Sequence, residues 1–190
     1  MTDAPRQGLG NFFHAVTDFL ADRSLREPVL ALVSEETRQL VATPPRGFAF
    51  IGSKPIDEIE AAIQQLEGPQ ALVDLGVFCA KRLGGTLIQP VLRAAFYLLG
   101  ERPEAAFGNL DRFFSLVTRG ILFRWKPEGD TSGTVEAWFS GPGTPEAAFH
   151  VLRGTLMYVF EIVGRPGTVH PPQVVEATPS GSRVWIKVQW

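Results

Sequence analysis

Few side chains in this 190-residue chain could carry acid–base or metal chemistry. The three histidines are His14, His150 and His170, and no two stand at metal-ligand spacing. His150 is the best-placed acid–base candidate. On a helix, Glu146 and Arg153 fall beside it at i−4 and i+3, where a carboxylate could orient the ring; the same spacing also makes an ordinary surface pair. His14 lies opposite the Phe12/Val16 stripe with Asp18 one turn on, which reads as a solvated helix face. His170 sits in the loop "TVHPPQ". The single Cys79 excludes an intramolecular disulfide and a cysteine-rich metal site. A nucleophile elbow and a P-loop are absent, and "GLGNFF" follows no expected strand, so it is not a dinucleotide fingerprint. Glu35-Glu36 and Glu58/Glu60 read as solvated helix charges. No catalytic, metal-ligating or cofactor-binding residue is assigned. An enzyme of unfamiliar chemistry stays open as one reading, because acid and base partners meet in space rather than in sequence.

One motif points elsewhere. The first six residues of "RGFAFIGS", Arg46 to Ser53, fit the base-stacking strand of an RNA-recognition motif. That module needs strand, helix, strand, strand, helix, strand, and here the motif stands between helices with no companion aromatic strand before it. Phe48 and Phe50 are expected to plug the core. With 18 basic and 20 acidic residues the net charge is −2, which supplies no sequence-wide attraction to phosphate, so no nucleic-acid partner is expected.

The elements that position these residues follow from periodicity. Phe12, Val16, Phe19 and Leu20 recur at helical spacing behind Asn11 as a cap. "SLRE" reads as a capping box for a second helix that continues with a break to about Val41. Ile56, Ile59, Ile63 and Leu66 make a further stripe; Gly68-Pro69 ends it and starts the next helix, with Leu72, Val73, Gly76, Val77 and Ala80 inward. Two more helices are expected, Thr86 to about Leu99, and one placing Phe107, Leu110, Phe113, Phe114 and Val117 inward. At Gly120 the period changes to two. Ile121/Phe123/Trp125 and Val135/Ala137/Phe139 alternate with polar neighbours in a hairpin across "KPEGDTSG". A helix then runs from the Thr144 cap and Pro145 to about Val163, apolar over most of its circumference and therefore covered on two sides. A second β pair, about Val169 to Thr178 and Arg183 to Trp190, ends the chain. The fold class is α+β: N-terminal helices and then a β-β-α-β-β antiparallel unit. One domain over 1–190 is expected, mainly helical over 1–119 and β-β-α-β-β over 120–190.

At 45% hydrophobic and 20% charged residues the chain has the balance of a compact folded protein, not a disordered one. Its longest apolar stretch, Leu87 to Leu99, is broken by Gln89, Pro90 and Arg93 and is too short to span a bilayer. The start "MTDAP" carries no basic region followed by an apolar run. A cytoplasmic location without membrane insertion is expected.

The motifs "LVDLGVFCAKRL" and "ERPEAAFGNLDRFFSLVTRG", then a hairpin, a long helix and a last hairpin ending "VWIKVQW", give the segment from Pro44 to Trp190 a resemblance. It resembles a paralogous family of myxobacterial type. More distantly, it is similar to the ligand-sensing fold of heme-nitric-oxide/oxygen (H-NOX) domains and of vinyl-reductase-type domains. Heme-binding members place an axial His after a Leu-Asp pair and two further residues; after Leu110-Asp111 that position here is Phe114. The Tyr-x-Ser-x-Arg clamp for heme propionates is missing as well. The resemblance implies an H-NOX-like scaffold without heme, and no cofactor. Phe107, Phe113 and Phe114 then either fill the core or line a pocket for a small apolar ligand. Strand alternation also gathers Trp138 and Trp185 with Arg124, Lys126, Arg183 and Lys187 on an outer sheet face. That face is either a contact surface for a protein partner or a second copy, as in a homodimer, or a set of rings packed over Arg and Lys stems. The expected role is a non-catalytic sensory or protein-interaction module. The alternatives are a carrier or sensor of a small apolar ligand, and the enzyme.

Overall fold

The computed structural model describes residues 5–84 and 102–190. The chain starts with strand β1 (Gln7–Leu9), which leads directly into helix α1 (Gly10–Asp22). Val16, Phe19 and Leu20 of α1 are buried as their spacing requires, but Phe13, not the half-buried Phe12, completes the inward stripe. Asn11 is not the cap. The free amides of Gly10 and Asn11 donate instead to the carbonyls of Ala49 and Gly47, each at 2.7 Å. The "RGFAFIGS" segment is thus a backbone cap for α1. Phe48 is not a core plug: its side chain is 77% exposed. Phe50 opens strand β2 (Phe50–Gly52), with the Arg119 guanidinium 4.0 Å above its ring.

"SLRE" forms no capping box. Ser24 has φ +57, Leu25 N–H bonds Leu20 C=O and Ser24 N–H bonds Ala21 C=O. This is the Schellman closure of α1, with Ser24 in the place that Gly usually takes. Helix α2 (Arg26–Leu30) therefore begins later, without a side-chain cap. Ser34 caps helix α3 (Glu35–Ala42). Helix α4 (Lys54–Glu67) follows β2, and Gly68 at φ +81 turns the chain into α5 (Pro69–Leu83). Glu58 of α4 accepts from Ser34 N–H at 3.0 Å and from the hydroxyls of Ser34 and Thr37 at 2.7 Å, locking α3 to α4. The helix expected over Thr86 to Leu99 lies outside the described residues.

The next expected helix is two short ones, α6 (Pro103–Phe107) and α7 (Leu110–Phe114). Gly108-Asn109 breaks them, with Asn109 Nδ2 donating back to the Ala105 carbonyl at 2.7 Å. Strand β3 (Thr118–Arg119) then pairs with β1, making a small sheet in the order β2-β1-β3. Strands this short carry no readable alternation, so periodicity could not show them.

The C-terminal part is the antiparallel unit that the sequence implies. Strands β4 (Ile121–Pro127) and β5 (Ser132–Ser140) form the hairpin, and helix α8 (Glu146–Val163) follows. Thr144 does not cap α8; Pro145 stands at the cap and the Thr144 hydroxyl is buried without a partner. Strands β6 (Thr168–Val169), β7 (Gln173–Thr178) and β8 (Gly181–Gln189) complete the sheet. Its order is β4-β5-β8, with β6 and β7 both pairing on β8. Phe123↔Ala137↔Val184 and Trp125↔Val135↔Ile186 are in register on the inner face.

Helix α8 is covered on two sides. Ala147 and Val151 join the core formed by α1 to α5; Phe149, Leu152, Leu156 and Phe160 pack on Val135, Phe139, Val184 and Ile186 of the sheet. The contact between α5 and α8 is a backbone approach. A Cβ on Gly154 would run into the Val73 carbonyl, and one on Gly76 into that of Val151. Thr155 Oγ1 donates to Val151 O at 3.0 Å and lies 3.4 Å from Gly76 O.

Gly154→Ala should therefore lower stability by about 3 kcal/mol, roughly 6–12 °C in Tm for a chain of this size. Gly52→Ala, with open space around it, serves as control and should be near neutral. Thermal or urea unfolding of the two variants checks this; equal stabilities would mean that the helices separate without cost.

Candidate functional site

Between the helical half and the sheet lies a cavity of about 120 Å³. Phe12 of α1, Ile56 and Glu60 of α4, and Cys79, Ala80 and Leu83 of α5 line one side. Phe113 and Phe114 of α7, Ile121 and Phe123 of β4, and Phe139 of β5 line the other, and Ala148, Val151, Leu152 and Thr155 of α8 join the two. The accessible wall is almost wholly apolar. Asp111 Oδ1 accepts from Phe123 N–H at 3.0 Å and so ties α7 to β4. That tie holds the Phe114 and Phe123 rings together, 4.3 Å between centroids.

Of the three phenylalanines that the sequence groups, Phe113 and Phe114 line this cavity and Phe107 does not. Phe107 is buried in an aromatic cluster instead, stacked on Trp125 (5.1 Å) and Trp190 (5.9 Å) and edge-on to Phe160 (5.6 Å). The break at Gly108-Asn109 sends it there.

The wall holds a short polar strip. Arg6 grips Asp57 with two hydrogen bonds, 3.0 and 2.7 Å, and Ser53 Oγ donates to the same carboxylate at 3.0 Å. One turn along α4, Glu60 is only 3% exposed, and its Oε2 has no hydrogen-bond partner. Burial, with the nearby Asp57 carboxylate, pushes the Glu60 carboxyl up to about 8 against the opposing pull of Arg6. It is a neutral acid at pH 7. Burial likewise raises the Cys79 thiol well above its ordinary value, so it is not a thiolate.

Glu60 is not the solvated charge that composition suggests. Its place was readable: it stands four residues after Ile56 and three before Ile63, on the apolar stripe itself. A carboxyl on that stripe is the signal of a buried acid.

The histidines lie away from the cavity. His14 Nε2 bonds the Pro45 carbonyl at 2.8 Å, and His170 Nε2 is 3.2 Å from the Gln189 amide oxygen. His150 Nε2 is 3.5 Å from exposed Glu146, with Nδ1 buried and unpartnered. Among the described residues no group of His, Cys, Asp and Glu could hold a metal ion, and no helix is long and apolar enough to cross a membrane.

The six outer-face residues do share one face. Arg124 is in register with Glu136 and Trp185, and Lys187 with Thr134. Glu136 sits at the centre. It pairs with Lys126 at 2.9 Å, lies 3.8 Å from Arg183, and accepts from Trp185 Nε1 at 3.2 Å. Lys126 stands over the Trp185 ring and Arg183 over the Trp138 ring. Trp185 is 39% exposed and Trp138 half-buried.

No protein-family model matches the chain, and no curated protein matches its sequence. Solved structures match it over nearly the whole length. The Fe(II) unliganded H-NOX protein from K. algicida shares 10% identity at a TM-score of 0.68, covering 96% of this chain and 97% of that one. Its A71G mutant gives 0.69 at 11% identity over 96% and 97%. An oxygen-binding H-NOX domain related to soluble guanylate cyclases gives 0.61 at 14% identity over 95% and 93%. The chain has the H-NOX fold.

Whether it also has the donors for a heme iron is a question for its own residues. Iron needs a Lewis-basic axial ligand. The position that the Leu-Asp spacing assigns to that ligand is Phe114, whose ring lines the cavity and supplies no lone pair. No imidazole lines the wall among the described residues, and the one sulfur there is a protonated thiol. This donor set does not fit a heme.

The buried acid makes stability depend on pH. Glu60 binds its proton more tightly folded than unfolded, so its contribution is fully present below about 4.5 and is lost as pH rises to about 8. Relative to Glu60→Gln, the protein should weaken steadily over that window and level off above it. Urea unfolding at a series of pH values reads this; parallel pH profiles would place the carboxyl in water.

Proposed function

We propose that the chain is a non-catalytic, heme-free sensory module that reads occupancy of its interlayer cavity by a small apolar molecule. The observation that carries this is the composition of the wall. Both halves of the fold contribute to it, it is apolar, and Phe114 fills the place of an axial ligand. A cavity of this size suits a ligand on the scale of one small ring, since a dry engineered cavity of about 150 Å³ accepts benzene. Such a ligand would add dispersion contacts across α5, α7, α8 and β4 at once and so tighten the helical half against the sheet. Occupancy thereby becomes a change in coupling between two parts of one molecule, which is what a sensor needs.

The output surface is assigned to the outer sheet face, for a protein partner or a second copy of the chain in the cytoplasm. Because Glu136 pairs with Lys126 and lies near Arg183, recognition there would centre on the exposed Trp185 ring, with Arg124 and Lys187 beside it. Neither nucleic acid nor membrane belongs to this reading.

Saturating benzene should raise the Tm by a few degrees through linkage, and Ala148→Leu, which fills the cavity, should remove that rise while leaving the protein folded. Hemin added to the purified protein should give no stoichiometric absorption band of a protein-ligated heme. A one-to-one hemin complex with that band, or a benzene response indifferent to Ala148→Leu, defeats the proposal.

A further inference from the structure

Resting on the apolar-cavity reading, the chemistry of the wall narrows the ligand. We infer that Glu60 is the polar anchor of the cavity, and that its ligand is a neutral, largely apolar molecule with one hydrogen-bond acceptor, to which the Glu60 carboxyl donates.

Three observations converge on this. First, Glu60 lines the cavity while being almost completely buried, and its Oε2 lacks any partner. Leaving a buried polar atom unpaired costs folding free energy, and the great majority of such atoms find partners. An acid held unpaired at the wall of an apolar cavity is therefore a group awaiting one. Second, the neighbouring charges are already matched. Arg6 is committed to Asp57 through both guanidinium nitrogens, and Ser53 completes that carboxylate, so the strip offers Glu60 no cation. Third, burial keeps Glu60 protonated, and the groups facing it from the packed elements do not reverse this. Asp57 from its own helix opposes ionisation, Arg6 from the N-terminal segment only partly offsets this, and Cys79 across on α5 is a neutral thiol. A protonated carboxyl has one O–H to donate, and the complementary ligand atom is a ketone, ester or ether oxygen or a neutral nitrogen.

The test compares two probes of equal shape, cyclohexanone and methylenecyclohexane, by ligand-induced thermal shift and titration calorimetry on the full chain. The quantity read is the ratio of the two affinities, which removes the difference in their hydration when proteins are compared. From wild type to Glu60→Leu the ketone-to-hydrocarbon ratio should fall roughly tenfold. Glu60→Gln, whose amide still donates, should keep most of the ratio. In wild type the ratio should decline as pH rises through about 8, and in Glu60→Gln it should stay flat. An unchanged ratio in Glu60→Leu, with the hydrocarbon bound by both proteins, overturns the anchor and leaves the apolar cavity standing. Binding of neither probe by wild type or Glu60→Leu overturns the cavity reading and this one together. Cyclohexylamine binding more tightly than the ketone would mean that Glu60 works as an ion-pair partner, and would overturn the neutral-acceptor assignment.

Discussion

The backbone approach of α5 and α8 at Gly76 and Gly154 sets the geometry of everything around it. At this crossing each glycine faces a carbonyl of the other helix, so no side chain separates the two backbones. Helix α8 can then turn Ala147 and Val151 toward the helical core and Phe149, Leu152 and Phe160 toward the sheet. One helix thus carries two cores. The cavity lies beside this crossing, since Val151 and Thr155, whose backbones meet Gly76, also line it together with residues of α4, α5, α7 and β4.

That space is maintained at a cost. Interiors pack densely, and an apolar void forfeits dispersion contacts around its whole lining. Here the void is joined by an acid without a partner, a second departure from what stability alone favours. Both fall on the same few residues of α4 and α5, where Glu60 and Cys79 lie. Elsewhere Glu58 has three donors, Asp57 has Arg6 and Ser53, and Glu136 has Lys126 and Trp185, while half-buried Glu104 also keeps an Oε2 without a partner. Unpartnered buried atoms also occur at Glu104, Thr144 and His150, and Glu60 differs from these in lining an apolar void.

How much of this could be read in the sequence depends on the length scale of each signal. The apolar circumference of α8 required cover on two sides, and the strict alternation over Ile121–Trp125, Val135–Phe139 and Val184–Val188 fixed the inner face. Both patterns persist over many residues. Strands β1 to β3 have two or three residues each, too few for a period. Phe48 and the capping of α1 were misjudged for a related reason: the "RGFAFIGS" segment acts through its carbonyls, and side-chain types say nothing of where carbonyls point. "SLRE" failed because two rules competed for one residue, and closure of α1 took Ser24 before capping could. Glu60 reads as a surface charge by residue type and as a buried acid by its position on the apolar stripe. Residues 110–114 contributed most to the site, since Leu110-Asp111 places Phe114 on the cavity wall and Asp111 binds the β4 backbone.

The likeness to H-NOX structures and the departure from a heme donor set come from different parts of the same wall. The fold is shared at identities of 10–14%, because layer order and alternation depend on pattern and not on particular side chains. Donor chemistry depends on single residues. The phenyl ring at position 114 presents hydrocarbon to the cavity and no lone pair that could bind an iron. With a neutral acid at position 60, the wall holds one donor at the opposite side of the space. Arg6 and Ser53 on the same wall are committed to Asp57, which leaves the Glu60 carboxyl apart from them with an Oε2 that has no partner. Fold and wall chemistry are thus separate matters here: the first rests on pattern over many residues, the second on the side chains at a few positions.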